Sequence, residues 1–324
     1  MFIEQAVKPE NKFWKYSIGS LLIILASSIG QIPLLLAVYW KSFLDGKTFP
    51  TNSDDLMRIL DSNLTLFLIM LSFVFALIGI LFVVKYIHNQ RFIEVTTTRR
   101  KVDWSRISFS FSIWALFSIF STFLLYYFNT EDFVINFKPI PFFILVAVAV
   151  IMIPIQTSTE EYVFRGYLMQ GFGNLSLNKW FPLVMTSVIF GGMHIFNPEV
   201  SKMGYIVLVY YIGTGFLLGI MTLMDEGLEL SLGFHAANNL IGALLVTADW
   251  SVFQTNSILK DLSEPSAGFD VILPVIVVYP ILLFIFSKKY NWTNWQEKLT
   301  GTINDPNIKS INIIKENNHD TDLS

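Results

Sequence analysis

The sequence predicts an all-α, polytopic membrane protein with about eight transmembrane helices. Of its 324 residues, 53% are hydrophobic and only 15% are charged, and 30 are phenylalanine, which makes the chain more apolar than ordinary soluble domains. Several apolar stretches reach the length of about 20 residues that crosses a bilayer core. Cysteine is absent, so disulfides, a thiolate nucleophile and a cysteine metal site are excluded.

Eight apolar stretches follow one another along the chain, separated by polar connections. They lie near residues 17–39, 64–86, 108–128, 140–157, 181–196, 203–224, 228–249 and 269–287. The first is longer than the apolar core of a signal peptide and lacks a persuasive small-residue cleavage site, so we expect it to be retained as a helix. The fifth and the seventh have the weakest patterns, and the count of eight depends on them.

The connection between the second and third stretches predicts the orientation. Its basic residues are Lys85, Arg91, Arg99, Arg100, Lys101 and Arg106. The positive-inside rule places this connection in the cytoplasm. Eight spans then place both termini there, as for a multi-pass protein of the plasma (inner) membrane, and make loops 40–63 and 250–268 external. The basic connection could also bind lipid headgroups, although an orientation signal is the simpler interpretation.

The chain divides into a membrane domain and a tail. Residues 1–289 form the predicted integral membrane domain, with a motif-bearing core at about 140–249, whereas residues 290–324 are rich in Asn, Asp, Lys and Thr. That composition predicts a solvated, disordered cytoplasmic tail with one amphipathic turn around Trp292 and Trp295.

Polar side chains stand within or directly after three of the apolar stretches. They are Glu160, Glu161 and Arg165 after the fourth, His194 in the fifth, and His235, Asn238 and Asn239 in the seventh. A charge at membrane depth costs about 2.5–3.5 kcal/mol on insertion scales, so such groups are usually turned inward and are paired or functional.

Helical spacing separates the two glutamates. Glu161 and Arg165 are four residues apart and share a helix face, where they can pair. Glu160 projects about 100° away from Glu161 around the helix, so its carboxylate remains available for general acid or base work. The alternative is that both acids bind Arg165 at the lipid headgroup boundary.

The two histidines and an asparagine complete the candidate site. His235 and Asn239 are four residues apart and can aim at one point, while Gly191 and Gly192 would let a neighbouring helix approach His194. A carboxylate and a histidine can activate water, and a second histidine with an amide can donate to the oxyanion that forms on a peptide carbonyl. Each polar pair could instead be a hydrogen-bonded clamp between helices.

A metal-dependent arrangement also fits these residues. Glu160, His194 and His235 could be three ligands of a zinc ion whose fourth position holds the water. The spacing does not distinguish the two chemistries, because the groups lie on different helices. The cofactor therefore stays open between none and a divalent metal such as zinc.

Three short motifs resemble one known family. The chain contains "EEYVFR", then "FGGMH", then "HAANN", between residues 160 and 239. This order is similar to the EExxxR, FxxxH and HxxxN/D pattern of the CPBP family of intramembrane proteases. That family includes the type II CAAX prenyl endopeptidases (Rce1-like) and the bacterial Abi and bacteriocin-immunity proteins.

The resemblance implies an eight-span helical endopeptidase that acts on a membrane-associated protein or peptide. Glu160 and His194 would activate the water, and His235 and Asn239 would hold the oxyanion. Glu161 and Arg165 would orient these groups. Family members have been described both as metalloproteases and as metal-free glutamate proteases, so zinc stays open, and a prenylated substrate does not follow.

Two other classes of function compete with a protease. The first is a non-enzymatic immunity or scaffolding protein in which the polar groups only fix helix packing. The second is a proton-coupled transporter, since buried Glu and His also build proton relays, although no repeated pair of Gly- or Pro-broken helices is evident. A formal net charge of −3 gives no indication of a nucleic-acid partner.

Overall fold

The computed structural model describes residues 1–8, 11–50 and 53–303. Helices dominate this part of the chain, and they are joined by short turns and one small sheet. The helices are α1 (Phe13–Leu44), α2 (Ser53–Arg58), α3 (Ser62–Phe82), α4 (Trp104–Phe128), α5 (Pro139–Glu161), α6 (Met169–Ser176), α7 (Trp180–Met193), α8 (Pro198–Met203), α9 (Val207–Asp225), α10 (Glu229–Leu245), α11 (Phe269–Leu273), α12 (Tyr279–Tyr290) and α13 (Trp295–Thr300). A π-helical segment, Tyr162–Leu168, joins α5 to α6 without a break in the helix.

The prediction of an all-α polytopic membrane protein is confirmed, whereas the count of about eight spans is not. Six helical segments of the described residues are long and apolar enough to cross a membrane, and Trp180–Phe196 is a shorter apolar helix. All eight predicted stretches contain a helix. However, α7 and α10 have only 14 and 17 residues, at or below the shortest length that crosses a bilayer core.

A small three-stranded sheet departs from the all-helical prediction. Its strands are β1 (Phe133–Ile135), β2 (Val246–Ala248) and β3 (Leu259–Asp261). The central strand β3 pairs antiparallel with β1 and parallel with β2. Strands of three residues are too short to show an alternating pattern. The sequence therefore predicts only a loop at 250–268, where the structure contains β3. The loop predicted at 40–63 likewise contains α2 and the end of α1.

The predicted tail begins too early. Trp292 is buried, and its Nε1 donates to Asp225 Oδ1 at 3.2 Å. In α13, Glu297 accepts a hydrogen bond of 2.9 Å from the buried Lys179. Ile303 is also buried. Trp292 and Ile303 pack against the helical body, and the composition of the segment does not predict this packing. The segment 292–303 therefore packs on the helical body instead of being solvated, and residues 304–324 of the predicted tail lie outside the described residues.

Helix α10 occupies the centre of the bundle. It packs against α4, α5 and α9, while α3 joins α5 to α1, and α7 packs along α9. Because α5 and α10 run antiparallel, residues at the end of α5 face the first turns of α10. This arrangement brings together polar residues that are 74 positions apart in the chain.

The basic connection is folded onto the helical body rather than left free. Arg99 pairs with Asp225 at 2.9 Å and with Glu229 at 3.1 Å, and Arg106 also pairs with Asp225, at 3.0 Å. Arg100 and Lys101 remain exposed. Two of the six basic residues are thus bound to carboxylates of α9 and α10, which leaves a smaller surface for lipid headgroups than the sequence suggests.

The two adjacent glycines of α7 have different surroundings. A Cβ added to Gly191 would lie 2.9 Å from Ile212 N and 3.0 Å from Ile212 Cα, whereas a Cβ added to Gly192 would meet no atom within 4 Å. The predicted close approach of a neighbouring helix is therefore confirmed for Gly191, which faces α9, and is wrong for Gly192.

We expect Gly191→Ala to destabilise the protein and Gly192→Ala to leave its stability unchanged. The first substitution forces α7 and α9 apart at a contact that involves backbone atoms, which have no rotamer to change. The measurement is the melting temperature of each purified variant in the same detergent. Equal melting temperatures for the two alanine variants would show that this helix contact tolerates a methyl group.

A buried cluster ties the first helix to the segment after the glutamates. His88 Nδ1 contacts Asn11 Oδ1 at 3.1 Å, and His88 Nε2 contacts Tyr167 OH at 3.0 Å. The ring of Tyr16 in α1 lies 4.3 Å from the His88 ring between centroids. Burial, with a smaller contribution from Lys15, lowers the pKa of the His88 imidazole to about 4.

This cluster predicts a loss of stability in mild acid. An unfolded His88 takes up its proton near pH 6.5, whereas the folded one does so only near pH 4. Between these values the unfolded state binds more protons, so the free energy of unfolding falls as the pH falls through this window. We expect His88→Gln to show a shallower decrease of melting temperature between pH 7.5 and 4.5. A decrease as steep as that of the wild type would show that other groups cause it.

Candidate active site

Two pairs of polar side chains bridge the interface between α5 and α10. His235 Nε2 lies 3.5 Å from Glu160 Oε2, and Asn239 Nδ2 donates to Gln156 Oε1 at 3.1 Å. Gln156 and Glu160 are one helical turn apart on α5, as His235 and Asn239 are on α10. The antiparallel packing of the two helices therefore produces two successive contacts. The predicted residues Glu160, His235 and Asn239 therefore lie at one interface.

Glu161 is the central acceptor of the site. Its Oε1 accepts from Arg165 Nη1 at 2.9 Å and faces His235 Nδ1 at 2.8 Å. The side chains of Glu161 and Arg165 are fully buried, and Arg165 also donates to Gly215 O at 3.2 Å. The ion pair that helical spacing predicts is present, and Glu161 holds a histidine as well.

Glu160 is set apart from Glu161 by its position and its exposure. Its side chain is 19% exposed, against 6% for His235, whereas the side chain of Glu161 is fully buried. Helical spacing predicts no partner for Glu160, but in the structure its carboxylate faces the imidazole of His235.

His194 joins the site through aromatic rings. Its Nδ1 lies 2.8 Å from Phe190 O, and a carbonyl only accepts, so Nδ1 carries the hydrogen and a neutral ring has its free lone pair on Nε2. The ring stacks on Tyr211 with a centroid distance of 4.1 Å. Phe190 lies between the groups, with ring centroids 4.9 Å from His194 and 5.9 Å from His235.

Three residues of this site were not predicted from the sequence. Gln156 is one turn before Glu160 in an apolar run, and its polarity was a signal that could have been used. Tyr211 and Trp114 gave no signal, because an aromatic residue in a membrane helix is ordinary. Trp114 Nε1 donates to Asn238 Oδ1 at 3.0 Å, which extends the polar interface from α10 to α4.

The predicted zinc ligands are not arranged around a common point. Among residues 1–8, 11–50 and 53–303, no group of three or more His, Asp or Glu side chains is placed to hold a metal ion. Both ring nitrogens of His235 face carboxylates, and His194 Nδ1 is bound to its own helix. The proposed ligand set Glu160, His194 and His235, and with it the metalloprotease assignment, is therefore not supported.

Comparisons with known proteins agree with the motifs. The family model "Type II CAAX prenyl endopeptidase Rce1-like" matches residues 139–241, from the first residue of α5 to the last part of α10. The chain is also 30% identical over 250 residues to the uncharacterized protein YyaK of Bacillus subtilis (strain 168), covering 76% of this chain and 82% of that protein. No solved structure matches the chain. The matched residues are those that carry the candidate site, and the chain belongs to the type II CAAX prenyl endopeptidase Rce1-like family.

Proposed function

We propose that this membrane protein is an intramembrane endopeptidase that hydrolyses a peptide bond of a membrane-associated protein or peptide with an activated water. One observation carries the proposal: Glu161 Oε1 contacts both Arg165 and His235. This double contact orients His235 and leaves the partly exposed Glu160 beside its Nε2. A cluster that only fixed helix packing would not need a second, partly exposed carboxylate.

The first step is attack by water on the peptide carbonyl. Glu160 accepts one proton as the water oxygen bonds to the carbonyl carbon, and His194 Nε2, which has a free lone pair, assists as a second acceptor. The carbonyl oxygen becomes an oxyanion. A carboxylate beside a partly enclosed water is suited to this work, because the same group can afterwards return the proton to the leaving nitrogen as the C–N bond breaks.

The oxyanion needs donors, and α10 supplies two. A carboxylate oxygen only accepts, so His235 Nδ1 donates to Glu161 Oε1. When both ring nitrogens of His235 carry a hydrogen, its Nε2 is the first donor to the oxyanion. Asn239 Nδ2 carries two hydrogens, of which one goes to Gln156 and the other is available for the oxyanion. Donors of this kind strengthen as charge develops.

The basic connection supports a cytoplasmic position for the nearby helix ends. His235 is six residues after the start of α10 at Glu229, which corresponds to about 9 Å along the helix. The reacting bond would then lie a short distance inside the membrane on the cytoplasmic side of the plasma membrane. Both termini would be cytoplasmic in this arrangement.

The first test compares newly formed protein termini in membranes from cells that express the wild type, Glu160→Gln or the exposed control Glu131→Gln at matched levels. We expect a set of termini that appears with the wild type and with Glu131→Gln and is absent with Glu160→Gln. Identical sets in all three would exclude Glu160 as the base. If the cellular phenotype also persisted in Glu160→Gln, a non-enzymatic immunity or scaffolding role would replace the protease.

A further inference from the structure

Asn238, which the proposed mechanism does not use, stands at the centre of a polar chain that crosses three helices. Trp114 Nε1 on α4 donates to Asn238 Oδ1 at 3.0 Å, and Asn238 Nδ2 donates to Asn239 Oδ1 at 3.1 Å. Asn239 Nδ2 in turn donates to Gln156 Oε1 on α5 at 3.1 Å. Every bond in this chain points in the same direction, from α4 through α10 to α5.

The direction of the chain follows from its first member. An indole N–H only donates, so the atom of Asn238 that faces Trp114 has to be the carbonyl oxygen. The amide nitrogen of Asn238 then faces Asn239 and requires an acceptor. The atom of Asn239 that faces it is therefore the carbonyl oxygen, Oδ1. The Nδ2 group of Asn239 is thereby turned towards α5, on the side where Gln156 and Glu160 lie.

The far side of Asn238 is also held in place. Tyr210 of α9 interacts with Asn238 and with Tyr279, and the rings of the two tyrosines lie 6.4 Å apart between centroids. Tyr279 OH lies 2.7 Å from Thr214 Oγ1. Trp114 and Tyr279 are buried, so these partners are fixed by packing and cannot readily turn to let the Asn238 amide flip.

We propose that Asn238 is a positioning residue that fixes the amide of Asn239 with its N–H groups towards the peptide bond. The inference rests on the proposed function, because it assigns the polarity of one oxyanion donor. An asparagine that could flip would present its carbonyl oxygen to the oxyanion half of the time, and that orientation repels the developing charge. Trp114 acts through Asn238 in the same chain.

The test uses Asn238→Asp, which keeps the shape and the acceptor for Trp114 but replaces the donor to Asn239 with a carboxylate oxygen. The proteins are placed in lipid nanodiscs and given a fluorogenic peptide copied from a cleavage site that the terminus comparison identifies. We expect kcat to fall at least tenfold with KM within about twofold, since the lost interaction acts in the transition state. Asn239→Ala is expected to lose about 10²–10³ in kcat, as for one oxyanion donor. Asn129→Asp, at an exposed helix end, is the control.

The double variant Asn238→Asp/Asn239→Ala separates positioning from general damage. If Asn238 acts only through Asn239, the double variant is no slower than Asn239→Ala alone, because the two effects are not additive. The inference would be overturned if the loss of kcat in the double variant equalled the product of the two single losses. It would also be overturned if Asn238→Asp kept its full kcat while Asn239→Ala was slow. In both cases the proposed protease function would stand. Full turnover in both Glu160→Gln and Asn239→Ala, or no cleavage by the wild type, would overturn the proposed function and the inference with it.

Discussion

Arg165→Gln is expected to remove most of the folded protein. The substitution leaves the Glu161 carboxylate fully buried without its cation, and breaking a buried ion pair in this way typically costs about 3–5 kcal/mol. The remaining hydrogen bond from His235 Nδ1 to the same oxygen of Glu161 compensates only in part, because it does not replace the guanidinium. The measurement is the monodisperse fraction of a fluorescent fusion in size-exclusion chromatography after extraction at matched expression.

Three further variants show whether charge is the cause. Glu161→Gln should lower the folded yield for the same reason, whereas Glu160→Gln should have a yield near that of the wild type, since its carboxylate is partly exposed and is not bound to Arg165. The double variant Glu161→Gln/Arg165→Gln removes both charges and should recover part of the yield. Equal yields for Glu160→Gln and Glu161→Gln would contradict the division of roles between the two acids.

The spacing of residues along one helix was enough to predict local contacts. Glu161 and Arg165 pair because positions four apart share a helix face, and the same rule places His235 and Asn239 together on α10. The class of fold was predictable for a similar reason, because long apolar runs have few alternatives in a bilayer. Gly191 was also identified correctly as a place where a neighbouring helix could approach.

Contacts between helices could not be predicted in this way. No periodicity in the chain indicates that Glu161 meets His235, or that Gln156 meets Asn239, because these distances depend on how α5 and α10 slide and rotate against each other. The burial of Trp292 and Ile303 depends in the same way on a surface formed by distant segments. The choice between zinc and a metal-free site was open for this reason, since ligand geometry is a property of the packed helices.

The two nitrogens of His235 allow a sharper test of the proposed chemistry. In His235→Asn the amide nitrogen lies near the position of Nδ1, so the contact with Glu161 can be kept while the group that faces Glu160 is lost. In His235→Gln the amide reaches the position of Nε2 instead and the contact with Glu161 is lost. If Nε2 is the functional atom, we expect His235→Asn to fold normally and to lose about 10²–10³ in kcat, as for one oxyanion donor.

His235→Gln is expected to show the opposite pattern, with a lower folded yield but more activity per folded molecule than His235→Asn, because its amide can still donate to an oxyanion. The measurement is kcat per folded protein in nanodiscs, with the folded amount determined by chromatography. His194→Asn serves as the comparison, since its amide can keep the contact with Phe190 O while Nε2 is removed. Normal kcat in His235→Asn would assign that histidine to helix packing through Glu161, and the oxyanion would then depend on Asn239 alone.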